Sequence, residues 1–237
     1  MLIPFPRRKV SRAVALRELA ILETAYPQAG TALDYRDAFS LLIAVILSAQ
    51  TTDAGVNRVT PVLFDRYPTP QALATAPIED VERIVKPTGF FRVKARNIVR
   101  AAQAVVERFG GTVPSVRESL ETIPGVGRKT ASVVLSVAFG EAELAVDTHV
   151  FRVAHRLGLT TAPTPRGVED DLRKLVPRDK LRFAHHWLIL HGRAICKAPV
   201  PLCARCPEAQ LCPSVPMVRR TLERPRMERV LSKKGVR

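Results

Sequence analysis

The stretch "LETIPGVGRKTASVV", residues 120–134, decides how this chain is read. Pro124-Gly125-Val126-Gly127 leaves room only for a tight hairpin between two helices, and its glycines let a backbone or a ligand come close. The second helix opens at once with Arg128 and Lys129. N–H groups of the hairpin and of the helix start point outward beside the positive end of a helix dipole, which is how a phosphate is held without reading bases. Gly125, Gly127 and Arg128 are therefore candidate phosphate contacts. The same residues also suit a plain helix-turn-helix corner with no ligand.

On both sides of this stretch helix signals recur, and the period-two alternation of half-buried strands is hard to find. Thr69-Pro70 and Thr164-Pro165 read as an N-cap followed by a first-turn proline, and Ser115-Val116-Arg117-Glu118 reads as a capping box. Gly110, Gly140 and Gly158 each follow a periodic apolar segment, where a left-handed residue ends a helix. These signals predict an all-α protein. The longest apolar run, "AFSLLIAVILSA" from Ala38 to Ala49, is shorter than the ~20 residues a membrane span needs. It predicts a buried helix and no membrane partner.

With 237 residues, 46% of them hydrophobic, the chain can build a core without disulfide staples. No secretory signal pattern opens it, so reduced thiols in a cytosolic compartment are expected. The arginine-rich "RRKVSRAVALR" near the start has some transit-peptide character. Lys and Arg number 37 against 22 acids, a net charge of +15, which points to a polyanionic partner and first to nucleic acid. Residues 1–20 carry +4, residues 213–237 carry +6 and the remainder only +5, so solvated basic tails are the competing explanation of the balance.

Two further groups carry chemistry. Lys129 sits in the first turn of its helix, where the dipole favours a neutral, nucleophilic amine able to form a Schiff base with a sugar carbon; a cation touching phosphate is the alternative. Asp147, in "AVDTHVF", follows eighteen positions later. The intervening helix covers ~18 Å and the connection up to ~26 Å, so a return to the lysine is sterically allowed. An N-cap on the helix starting at Thr148 is an equally good reading of the same aspartate. All four cysteines, Cys196, Cys203, Cys206 and Cys212, fall within seventeen positions with the spacing C-x6-C-x2-C-x5-C. Prolines 199, 201, 207 and 213 keep that backbone non-helical. One closed four-thiolate site is indicated, and the spacing leaves zinc and an iron-sulfur cluster both open.

Taken together, "LLIAVILSAQTTD", "IPGVGRKTASVVL", "VDTHVFRV" and the cysteine run resemble, in order, the endonuclease III branch of the helix-hairpin-helix DNA glycosylases. The resemblance covers roughly residues 15–215, starting almost immediately after the arginine-rich segment, and so implies a bacterial cytoplasmic protein and no transit peptide. It implies that Lys129 is the Schiff-base nucleophile, Asp147 the essential carboxylate, and the four cysteines the ligands of a [4Fe-4S] cluster that fastens the fold and does not react. It also implies that Gln50 and Phe90 fill the hole left when a nucleotide is flipped out, although many relatives carry leucine where Phe90 stands. Asp53 and His149 match positions near the lesion pocket. Lys197, within the cysteine loop, is a candidate phosphate contact; the other four histidines are expected at helix surfaces or in packing.

The implied protein is a bifunctional DNA glycosylase and AP lyase of base excision repair. It would act as a monomer on double-stranded DNA bearing oxidised pyrimidines or abasic sites, near the bacterial nucleoid. The implied architecture is a cluster-bearing helical domain from 1–30 plus 142–220, a six-helix domain from 31–141 and a basic flexible tail from 221–237. The main alternative is a metal-fastened DNA-binding protein with weak or no turnover. An adenine-specific relative is disfavoured, because it is expected to lack a lysine at position 129.

Overall fold

Ala38–Leu47 is apolar at nine of its ten positions, and a helix that apolar all round must be covered on every side. The computed structural model describes residues 4–223, and in it this segment is a helix with all but its first residue buried. Its start is fixed by a reciprocal capping box: Ser40 N–H donates to Asp37 Oδ1 at 2.7 Å, and Asp37 N–H donates to Ser40 Oγ at 2.9 Å.

The helices are α1 Arg12–Ala25, α2 Ala38–Leu47, α3 Asp53–Asn57, α4 Thr60–Arg66, α5 Pro70–Ala74, α6 Ile78–Val85, α7 Phe91–Phe109, α8 Arg117–Leu120, α9 Arg128–Ala138, α10 Thr148–Arg156, α11 Pro165–Leu175, α12 Leu181–Ala194 and α13 Val215–Glu223. No strand occurs among the described residues, so the all-α expectation holds. No helix among them is long and apolar enough to cross a membrane.

Thr69 and Thr164 cap α5 and α11 with proline in the first turn, as their sequences predict. Gly110, Gly140 and Gly158 all have positive φ at the ends of α7, α9 and α10. The capping box expected at Ser115–Glu118 does not form. α8 starts one residue later than that motif requires, and its N-cap, Val116, has no side chain able to accept. Arg117, the first helical residue, is instead drawn into contacts with α9.

The chain divides into two compact units. One is Gly30–Ala145 with Asp179–Arg182. Its core is built on α2 and α7: α7 packs on α5, α6 and α2, and α2 packs on α9. Leu41, Leu42, Ile43 and Leu47 are fully buried there, and complete burial of such a side chain is worth about 1.5–3 kcal/mol. The other unit comprises Met1–Ala29, Val146–Arg178 and Phe183–Arg237, as far as these are described; in it α11 packs against both α1 and α10. Of the basic tail expected over 221–237, residues 221–223 end α13 and the rest lie outside the described residues.

Candidate functional site

The hairpin between α8 and α9 is pinned from inside. Ile123 and Val126 bury their side chains, and Val126 N–H donates to Ile123 O at 3.0 Å. Gly125 has φ +81°, and a Cβ there would lie 3.1 Å from Asn97 Cβ and 3.2 Å from Ile46 Cγ2. Gly127 is different: its backbone is extended, and a Cβ would meet nothing within 4 Å. The N-cap of α9, Gly127, has no side chain with which to cap the helix. Arg117 stitches the two helices together by donating to Arg128 O at 3.4 Å and Ser132 Oγ at 3.0 Å while pairing with Glu143. Lys129 projects from the first turn of α9 and is exposed.

The two glycines therefore predict different mutant behaviour. Gly125→Val combines a left-handed backbone with a closed site and costs about 2 kcal/mol or more of stability. Gly127→Val keeps its melting temperature but weakens binding to undamaged duplex of every sequence alike, since only a backbone surface is covered. Thermal melts and binding titrations separate the two. Unimpaired binding by the Gly127 variant would contradict a phosphate role for the hairpin.

Gln50 and Phe90 lie in the same unit. They are the two non-glycine residues with positive φ among the described residues, at 55° and 48°. Such backbone costs of order 1–3 kcal/mol and persists where its surroundings over-determine it, commonly at functional loops. Phe90 is 69% exposed, more than any other large apolar side chain described, so core packing does not account for it. Gln50 stands exposed just beyond Ser48, which ends α2. Asp53 opens α3 behind the N-cap Thr52.

In the other unit, Asp147 is the N-cap of α10: Val150 N–H donates to its Oδ1 at 2.8 Å. His149, two residues on in the first turn of α10, meets Arg152 Nη2 through Nδ1 at 3.1 Å. Burial lowers the His149 pKa, with Asp147 opposing and Arg152 and Arg193 reinforcing the shift.

All four cysteines, none in a disulfide, line one pocket whose wall includes Arg156, His191 and Val218. Arg156 holds the loop after Cys196 by donating to Lys197 O at 2.7 Å and Pro199 O at 3.1 Å, and its Nη1 lies 3.6 Å from Cys196 Sγ. This leaves the Lys197 side chain exposed. Burial pushes Cys206 up to about 11 and Cys212 to about 12, so these thiols stay protonated unless a bound metal draws the protons off. His191 is fully buried, which is the packing place among its two expected ones; burial lowers it to about 4 and keeps it neutral. Its Nδ1 lies 3.2 Å from the Tyr26 hydroxyl and its Nε2 3.6 Å from Cys206 Sγ. Sequence reasoning missed the roles of Arg117 and Arg156, because each acts on residues distant along the chain.

Glu18 and Glu208 are also fully buried in this unit, without hydrogen-bond partners among the described residues. Burial, reinforced at Glu18 by Glu208, raises both from 4.5 to about 8, so at neutral pH the folded protein holds protons that the unfolded chain releases. Because the folded values lie above the unfolded ones, stability from this source falls as pH rises from about 4.5 towards 8. Glu208→Gln, which cannot ionise, should gain melting temperature over the parent at pH 8 and much less at pH 5. Equal shifts at the two pH values would contradict the buried-acid reading.

Comparison with known proteins gives a consistent picture. Residues 43–178 match the HhH-GPD superfamily of base excision DNA repair proteins. Endonuclease III of Synechocystis sp. is 52% identical over 83% of this chain and 90% of its own length. Endonuclease III of Escherichia coli is 42% identical over 86% and 96%. A solved endonuclease III, trapped as a covalent intermediate with DNA, superposes with a TM-score of 0.84 at 41% identity, covering 90% of this chain and 99% of that one.

Proposed function

The chain belongs to the HhH-GPD superfamily of base excision DNA repair proteins, in its endonuclease III branch, and on that premise we propose that it excises oxidised pyrimidines from duplex DNA in the bacterial cytoplasm, with Lys129 as its nucleophile. It is a DNA glycosylase with AP lyase activity. The observation that carries the residue assignment is an exposed lysine in the first turn of α9, whose start has no side-chain cap and adjoins the open Gly127.

The damaged nucleotide must leave the stack before an amine can reach its anomeric carbon. Lys129 Nζ then bonds to C1′ as the glycosidic bond breaks and the base departs with its electron pair, taking up a proton. Sugar ring opening gives the imine. Loss of a 2′ proton lets the 3′ phosphate leave by β-elimination, which cuts the strand. Asp147 stabilises positive charge on the sugar or takes the lysine's proton. One of its oxygens also caps α10, so both readings of this aspartate are compatible. Gln50 and Phe90 occupy the hole in the duplex, Asp53 and His149 flank the lesion, and Gly125, Gly127, Arg128 and Lys197 meet phosphate.

The cysteine pocket suits a [4Fe-4S] cluster held by Cys196, Cys203, Cys206 and Cys212. What supports this is the donor set: four thiols, none in a disulfide, share one pocket. Bound there, the cluster supplies structural cross-linking. The aerobically purified protein should be yellow-brown with about four irons per chain, and Cys203→Ser should destabilise the loop around it. Stoichiometric zinc without iron would contradict this.

Duplex carrying one oxidised pyrimidine, incubated with and without borohydride and run on a denaturing gel, tests the function. A nick without reductant and a slow covalent band with it are expected. Binding with neither would leave a DNA-binding protein without turnover.

A further inference from the structure

Lys94 is a lysine where a core residue belongs. It lies near the start of α7, is 4% exposed, and forms no ion pair among the described residues. Burial lowers its pKa, and lysine is rarely buried this fully without a specific reason. Its Nζ donates to two groups: Thr51 Oγ1 at 2.5 Å and Thr88 O at 2.8 Å. Thr51 Oγ1 in turn donates to Thr88 O at 2.5 Å, closing a three-membered network between loops 37 residues apart in sequence.

Those loops are not arbitrary. Thr51 directly follows Gln50, and Thr88 precedes Phe90 by two residues. Gln50 and Phe90 hold the strained, left-handed backbones, which relax unless neighbours fix them. Lys94 N–H also donates to Phe90 O at 3.1 Å, so the same residue grips the Phe90 turn by its backbone and its side chain.

We infer that Lys94 is a positioning residue: its buried ammonium locks the Gln50 loop to the Phe90 turn and so sets the separation of the two side chains that enter the duplex. A flexible pair of loops would have to be ordered during each extrusion. Here that ordering is built into the free protein, and it acts on the nucleotide-flipping step, not on imine formation. The inference rests on the reading of Gln50 and Phe90 as the residues that fill the hole.

Lys94→Met keeps the length and removes the donors; Thr51→Val removes the hydroxyl alone, and Thr51→Ser restores it. Each variant is first checked by thermal melting. Single-turnover cleavage is then measured on duplex with an oxidised pyrimidine and on single-stranded DNA with a preformed abasic site, which has no stack to open. The duplex-to-single-strand rate ratio should fall about a hundredfold in Lys94→Met. It should fall in the same direction in Thr51→Val and recover in Thr51→Ser. A ratio equal to that of the parent in folded Lys94→Met, or in Thr51→Val if Lys94→Met does not fold, overturns the inference. Failure of the parent itself on the single-stranded abasic site would count against the lysine chemistry instead, so the two claims fail separately.

Discussion

Lys129→Gln abolishes both borohydride trapping and strand cleavage, a loss of at least about a thousandfold, while binding to damaged duplex persists. Glutamine preserves length and polarity but has no amine to form an imine. The side chain is exposed at the start of α9 and supports no described packing, so loss of fold is not a competing explanation. A trapping assay beside a binding titration and a melting curve checks all three parts. Trapping at near-parental rate would move the nucleophile elsewhere.

Asp147→Asn is the second large effect, and its value lies in separating two roles of one residue. Asparagine caps helices about as well as aspartate, so the bond from Val150 N–H and the start of α10 should survive. What disappears is the negative charge, and turnover should fall by about a hundredfold or more, the scale seen when one preorganised electrostatic partner is removed. Asp147→Ala should lose rate and also about 1 kcal/mol of stability through the missing cap. If Asp147→Asn melts lower but turns over normally, the aspartate is a cap and nothing else.

What the sequence made legible was local. The hairpin, the threonine-proline helix starts and the glycine helix ends are written in neighbouring residues, and the structure realises each of them. The failed capping box at Ser115–Glu118 shows where local rules lose: Arg117 gains partners on α9 and at Glu143, and the helix begins with it. The Asp37 box went unread because its third helical residue is Ser40 and not the usual Glu or Gln. Residues that act across the fold had no spacing to betray them. Arg156 reaches carbonyls about forty positions away and Lys94 spans two loops; nothing near either in sequence suggests it. The positive φ of Gln50 and Phe90 ran against propensity, and only the family resemblance marked these positions.

Whether Lys129 is the nucleophile is decided by locating the bond itself. Borohydride-reduced adduct formed with oxidised-pyrimidine duplex, digested with protease and nuclease, can be mapped by fragment mass. A reduced sugar remnant is expected on the peptide containing Lys129, and on that amine alone. A remnant on the chain's N-terminal amine or on another lysine, with Lys129 unmodified, would contradict it.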